Sequence, residues 1–509
     1  MSLYIGLDAS TNACKAVIVD AAGAVVSEGR ASYGLDNPGP DAWEQRAEGW
    51  LEAAVAALGQ AAASLEPADR ARVVSLAIAN QRETFVATDE RGESVAPAIV
   101  WMDARCRPEV RAASAELDPD RIHAISGKPA CATPSLYKIR ALFERLRPEV
   151  RPATKRLLDV HAYLVLHLTG ESVTSTASAD PLGLVDMATA SWSPELCALA
   201  RADVSMLPRL VAPATPVAPL RLDVARATGL SERLMVVAGA GDGQAAGLGA
   251  GVVDERSAYL NLGTAVVSGK PSTTYRTSRA YRTLFAAIPG AYLLETDLKG
   301  GTFSLDWLAD RVLGGGAIAA GEARDALLAD LEERATAIAP GAEGLLFLPY
   351  LAGVMNPHWD DDASGALVGL RGDHGPAHFY RAILEGLALE QRLHTERVEA
   401  DAGAIETLAA VGGGARRGLF AQIVADVMGR RLTRPAAAET TALGAAILAA
   451  TGAKAYDSVL DAARGMTRVD GAVEPGANRT AYDKLYREAY SHLYDAVAPV
   501  LGKLASLRA

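Results

Sequence analysis

"YIGLDAST", Tyr4 to Thr11, and "YLNLGTAV", Tyr259 to Val266, lie about half the chain apart in a sequence of 509 residues. Each is a short apolar run that ends in small or hydroxyl-bearing residues, and each leads into a second apolar run ("CKAVIVD" and "VVSGK"). Apolar runs of this length, broken by turn residues, read as strand-turn-strand units. Their spacing predicts two similar halves that face one cleft. Two-residue coincidences are common, so the echo needs support from the rest of the chain.

Length gives some of that support, because 509 residues exceed what one hydrophobic core organises. We expect two domains, residues 1–254 and 255–509. Half the residues are hydrophobic and 22% are charged, an ordinary globular balance. The net charge of −11 argues against non-specific binding to nucleic acid or to an anionic membrane. The four cysteines (Cys14, Cys106, Cys131, Cys197) are scattered, with no C-x-x-C and no Cys/His cluster. They read as reduced and mostly buried, which together with the lack of a visible signal peptide leads us to expect a cytoplasmic protein. No apolar stretch reaches the length of a membrane span.

The second decisive stretch is "VVAGAGDGQAAGLGAG", Val236 to Gly251, whose sixteen residues include a single charge, Asp242. Gly241-x-Gly243-x-x-Ala246 after an apolar strand fits a dinucleotide loop. That reading wants an acidic residue about 20 positions on, at the end of the next strand. Asp254 and Glu255 come too early, and "SAYLNLG" ends in Asn and Gly. Asp242 would also set negative charge beside a pyrophosphate. The alternatives are a carboxylate placed where a substrate must approach closely, or a plain turn before a small-residue helix.

Other segments carry candidate chemistry. Asp8 ends the first strand and is followed by Ser10, Thr11 and Asn12, a set suited to Mg²⁺ and phosphate. Lys15 adds a point charge for the same phosphates. A solvated hairpin turn is the plain alternative. Gly263 and Thr264 form the matching turn of the second half. "VGGGARR" sets Gly412, Gly413 and Gly414 between a strand and a helix, a layout that favours an anion or nucleotide. No Gly-Lys-Ser/Thr follows, so it is not a Walker A loop. "NQRETF" brings Gln81, Arg82 and Glu83 to the end of a buried strand, offering donors and acceptors for a polyhydroxylated substrate or else an ordinary ion pair. "VWMDAR" brings Trp101 and Asp103 together, with core packing and an Arg105 partnership as the plain readings. "DAWEQRAEGWLEAAVAALGQAAASLE" reads as one helix and "ETTALGAAILAA" as a helix of small residues.

Taken together, these segments resemble the FGGY carbohydrate kinases, the family of glycerol kinase, xylulokinase and gluconokinase. The most specific stretch is "GALVGLRGDHGPAHFYRAILE": Gly365-x-Leu367-x-Gly369-Leu370, seven residues, then His378-Phe379-x-x-Ala382-Ile383-Leu384-Glu385. The order of the other segments fits across nearly the whole chain. The resemblance implies an α/β fold of the actin-like ATPase kind, with duplicated ribonuclease-H-like cores around an interdomain cleft. It implies ATP and Mg²⁺, a small sugar or polyol, and a homodimer. The N-terminal half would mainly bind sugar and the C-terminal half mainly nucleotide. It implies Asp8 for Mg²⁺; Ser10, Thr11 and Lys15 as the first phosphate loop; Gly263 and Thr264 as the second; and Gly412, Gly413 and Gly414 on the adenosine side. Gln81, Arg82, Glu83, Asp103 and Gln244 would contact substrate, and Asp242 would act as general base.

The chain departs from the family pattern in places. Ser10 stands where D-x-G-T has glycine, and Ala141 follows Arg140 where a tryptophan is common. "QRET" has the glycerol kinase form, yet Thr133 appears where that enzyme has a substrate tyrosine. "GAGVVDERSAYLNLGTAVV" and "PYLAGVMNPH" look like xylulokinase, whereas "HWDDDASG" leans to glycerol kinase. D-xylulose is the first expectation for the substrate, and glycerol or another pentulose or polyol is the alternative. A non-kinase actin-like ATPase would share the phosphate loops without needing "QRET", "WMDAR" or a lone Asp242.

Overall fold

The computed structural model describes residues 2–314 and 321–507. Two mixed sheets carry the architecture. The first has strands β1 (Leu3–Ala9), β2 (Ala13–Val19), β3 (Val25–Ser32), β4 (Val73–Asn80), β5 (Pro216–Pro219) and β6 (Met235–Gly241), in the order β5-β6-β4-β1-β2-β3. The second has β7 (Ser257–Leu262), β8 (Val266–Ser272), β9 (Arg282–Phe285), β10 (Tyr292–Leu298), β11 (Thr407–Val411), β12 (Leu432–Pro435) and β13 (Val469–Val473), in the order β9-β10-β8-β7-β11-β12-β13. In each sheet the opening hairpin is antiparallel (β1–β2, β7–β8) and its first strand runs parallel to the next core strand (β4, β11). The half-chain echo is therefore a repeat of topology.

The parallel strands β1, β4 and β6 are buried almost throughout, as expected for strands covered on both faces. Side chains alternate between the faces. Leu3, Ile5 and Leu7 join a core with helix α1 (Ala47–Ala63), whose Trp50, Ala54, Ala57 and Leu58 fall at helical spacing on its buried side. Tyr4 and, across the sheet, Ala77 and Val237 meet the other cover, which comes from the C-terminal half. This is the small-residue helix α2 (Thr440–Gly452). It lies so close to β1 that a Cβ on Gly6 would sit 1.7 Å from the Ala442 carbonyl oxygen. The run of alanines thus lets one half seat a helix directly on the other half's sheet.

The predicted helix beginning at "DAWEQ" starts later than expected. Ala42–Gln45 is a strand that pairs with Ala98–Ile99 in a separate five-stranded sheet, and the helix begins at Ala47. Cross-strand pairing outweighs local helical spacing here. "QRET" is the junction between β4 and that five-stranded sheet, whose next strand is Phe85–Thr88. The four cysteines are buried and unpaired. Among the described residues, no helix is long and apolar enough to cross a membrane.

Candidate functional site

β6 ends at Gly241, and Asp242 opens the helix Asp242–Gly249. Its carboxylate Oδ1 accepts from the Gly243 backbone N–H at 2.7 Å and pairs with Arg82 Nε at 2.9 Å. The side chain is 38% exposed. Its pKa lies above the ordinary aspartate range, because burial penalises the charge more than Arg82 relieves it. A partly exposed carboxylate, oriented by two donors and raised in basicity, is equipped to accept a proton.

Arg82 in turn is held by the other half. Its Nη1 donates to both oxygens of Glu295 at 2.8 and 3.0 Å, and to Gln244 Oε1 at 3.3 Å. The reciprocal pair joins Arg282 of the C-terminal half to Glu83 of the N-terminal half at 2.8 Å. Glu295 is wholly buried and also accepts from Arg282 Nε at 2.8 Å and from the Tyr259 hydroxyl at 2.9 Å. Burial alone would raise its pKa, but Arg82 and Arg282 overcome that and hold it at about 2. Two arginines and two glutamates therefore bolt the halves together beside Asp242. Glu83 adopts a left-handed backbone (φ 53°), which is uncommon for a residue other than glycine.

The first turn stands across from this cluster. Ser10 Oγ donates to Asp8 Oδ1 at 2.7 Å, so the serine that replaces the family glycine adds a bond to the carboxylate. The Tyr33 hydroxyl donates to the Ser10 carbonyl, and Trp101 Nε1 donates to Thr11 Oγ1 at 3.0 Å. Trp101 is thus exposed at the turn, not packed in the core. Burial raises Asp8 to about 7; the Ser10 bond lowers it, while Asp242 and Glu439 push it further up. Lys15, the expected phosphate ligand, pairs with Glu439 at 3.0 Å and Glu28 at 3.1 Å.

The second turn and the glycine run come together as one surface. Thr302 donates to the Gly263 carbonyl through both its N–H (2.9 Å) and its hydroxyl (3.0 Å), bracing the turn from behind. Gly412 has φ +86°, and a Cβ there would lie 2.4 Å from Asn261 Oδ1. Gly413 faces open space. A short 3-10 turn, Gly413–Arg416, separates the strand from the helix Gly418–Met428. Backbone N–H groups on bare turns are the usual setting for phosphate oxygens.

Some expected contacts are committed elsewhere. Gln81 is buried, donating to Gln45 Oε1 at 3.0 Å and accepting from Thr84 at 3.2 Å. Asp103 accepts from the backbone N–H groups of Trp43 (2.9 Å) and Arg105 (3.0 Å) and from Arg105 Nε (2.8 Å). Gln244 Nε2 donates to the Ala177 carbonyl at 3.0 Å. The sequence reading missed Arg282, Glu295, Asp297 and Glu439. A signal was present, since "ETDLK" places charge at 295, 297 and 299, alternate residues at the end of the largely apolar strand Tyr292–Leu298 and just past it. The long signature proves to be a packing element. Its Glu385 accepts from the Gly341 N–H, Arg381 Nε and the Tyr482 hydroxyl, at the buried side of the helix Pro376–Ala402.

The donor set suits a hard divalent cation that shares its ligands with phosphates. Asp8 carries an ionisation burden from Asp242 and Glu439 that a cation would relieve. No group of three or more His, Cys, Asp or Glu side chains forms a self-sufficient metal cage among the described residues. Mg²⁺ usually takes only one or two carboxylates, with waters and substrate phosphates as its other ligands.

Comparison with known proteins fits this geometry. The N-terminal domain of the FGGY family of carbohydrate kinases matches residues 3–249, and the C-terminal domain of that family matches residues 258–453. The xylulose kinase of Lactococcus lactis is 29% identical over 90% of this chain and 89% of its own. The xylulose kinase of Escherichia coli is 29% identical over 98% of this chain and 100% of its own. The crystal structure of xylulose kinase from Rhodospirillum rubrum superposes with a TM-score of 0.87 at 28% identity, over 98% of this chain and 100% of that one. Gluconate kinase from Lactobacillus acidophilus shares the fold, with a TM-score of 0.89 at 21% identity over 99% of both chains.

Proposed function

The chain belongs to the FGGY family of carbohydrate kinases, and from that premise we propose that it phosphorylates D-xylulose at the 5-hydroxyl with Asp242 as general base. It is an ATP-dependent sugar kinase. The observation that carries the base assignment is the setting of Asp242: a partly exposed carboxylate at a strand end, oriented by Arg82 and the Gly243 N–H. The xylulose kinase relatives support the choice of sugar.

In the proposed reaction the substrate hydroxyl gives its proton to Asp242. Its oxygen bonds to the γ-phosphorus as the bond from that phosphorus to the bridging oxygen of ADP breaks. Such a transfer depends on positioning and charge neutralisation. Residues 1–254 would hold the sugar, the first phosphate turn and the base, and residues 255–509 mainly the nucleotide. The backbone of Ser10, Thr11, Gly263 and Thr264 would take phosphate oxygens, with Gly412, Gly413 and Gly414 lining the nucleotide side. Asp8 would hold Mg²⁺ together with the nucleotide, and the ion would supply neutralisation of phosphate charge. Lys15 reaches a phosphate on this reading by leaving Glu28 or Glu439.

Glycerol is the second reading, favoured by the "QRET" form. Against it, Arg82 and Glu83 are already spent on Glu295 and Arg282, so they are not free to grip a small triol. ADP release should be measured with D-xylulose, L-xylulose, D-ribulose, L-ribulose, glycerol, erythritol and gluconate. D-xylulose should give the highest kcat/KM. A higher value for any other member overturns the substrate assignment, and turnover indifferent to every sugar would point to a plain ATPase.

A further inference from the structure

β10 presents Glu295 and Asp297 on the face that looks toward the N-terminal half, because alternate residues of a strand share a face. Arg282 pairs with Glu295 in register on β9. Glu295 is saturated by Arg82, Arg282 and Tyr259. Asp297 is not. Its Oδ2 stands 3.7 Å from Arg282 Nη2, beyond hydrogen-bond distance. Its Oδ1 is buried and has no hydrogen-bond partner among the described residues. The side chain as a whole is 15% exposed.

Asn356 lies against it. The Asn356 Oδ1 accepts from the Asp297 backbone N–H at 2.9 Å, which fixes the amide so that its Nδ2 is the free end. That Nδ2 is buried and, among the described residues, also without a partner. Lys299, the next charge in the alternation, is committed to Asp361 at 3.0 Å. A chain of contacts leads from these atoms to the base: Asp297 to Arg282, Arg282 to Glu83 at 2.8 Å, and then Arg82, the neighbour of Glu83, to Asp242 at 2.9 Å.

A buried acceptor and a buried donor left open on two residues in contact are costly unless something fills them. A hydroxyl group both donates and accepts, so one that reached both atoms would satisfy them together. We propose that Asp297 Oδ1 and Asn356 Nδ2 form a hydroxyl-recognition subsite for the sugar carbons remote from the transferred phosphoryl group. This assignment rests on the reading of Asp242 as the base, which sets where the reacting hydroxyl lies. Burial raises the Asp297 pKa, and the Arg282 guanidinium nearby works against that rise. The subsite belongs to the C-terminal half, so it meets the sugar only because β9 and β10 reach across to the N-terminal half.

The test compares Asp297→Ala and Asp297→Asn with the wild-type enzyme at saturating ATP. Loss of a hydrogen bond to a charged group should raise the sugar KM about 10- to 100-fold in Asp297→Ala. Asp297→Asn keeps an acceptor and should raise it only severalfold. KM for ATP and kcat should stay within about twofold of wild type, whereas a merely structural role would lower kcat and the melting temperature instead. Sugar-induced shifts in melting temperature give the same comparison without requiring turnover. An unchanged sugar KM in Asp297→Ala, or a loss confined to kcat, overturns the subsite. If another sugar outperforms D-xylulose, the substrate reading fails while the same variants still test the subsite on that sugar.

Discussion

The two opening hairpins share an antiparallel topology and differ in chemistry. Ala9 and Cys14 form the last pair of the first, and Leu262 and Val266 form the last pair of the second. One residue back from each closing pair stand Asp8 and Asn261. Asp8 is a carboxylate crowded by Asp242 and Glu439 and raised to about 7. Asn261 is a neutral amide whose oxygen fills the space that a side chain at Gly412 would need. The topology occurs twice, and the residue at this position sets the two turns apart: a crowded carboxylate on the N-terminal side, a neutral amide packed against a bare glycine on the C-terminal side.

That division can be broken at three points. The largest effect should come from Asp242→Asn, which keeps shape and removes the proton acceptor. We expect kcat to fall by about 10³-fold or more, with ATP binding by calorimetry within about threefold of wild type. Turnover close to wild type would remove Asp242 from the mechanism. Asn261→Asp makes the second turn imitate the first by placing a carboxylate in the proposed phosphate cradle. KM for ATP should rise about tenfold or more while the sugar KM holds, and an unchanged ATP KM would show that the second turn does not hold phosphate.

Asp8→Asn makes the first turn imitate the second, and its signature is the smallest. The folded protein holds the Asp8 proton up to about pH 7, whereas the unfolded chain releases it near 4. Ionised Asp8 therefore costs stability that grows as pH rises from about 4 to about 7 and stays constant above. Without Mg²⁺, Asp8→Asn should melt about 1–3 °C above wild type at pH 8 and level with it at pH 4. The Mg²⁺ concentration for half-maximal turnover should rise severalfold. A melting difference independent of pH would show that Asp8 is not the strained carboxylate.

Much of the site was legible because its parts are local. A strand end, a turn and a bare run of glycine and alanine around one carboxylate each occupy a few consecutive residues. Such local signals single out Asp8, Gly263, Gly412 and Asp242 as candidates. The roles of Gln81 and Asp103 were harder to read, since a polar side chain at a strand end serves either a substrate or a neighbouring loop, and here both side chains are committed to protein partners. The strand Ala42–Gln45 looks helical in sequence because its cross-strand partner, Ala98–Ile99, is remote in the chain.

By itself the sequence determined the repeated strand-turn units and the residue types at their ends, because periodicity and turn chemistry are properties of neighbouring residues. Only the tertiary structure decided which charges stay free. Arg82 and Glu295 lie 213 positions apart and Arg282 and Glu83 lie 199 apart, yet each pair meets at 2.8 Å. Coulomb energy and desolvation depend on distance and burial in space, and these have no fixed relation to position along the chain. That is why Glu295 is a fully buried ion-pair partner while Asp242, bound to the same arginine, stays partly exposed.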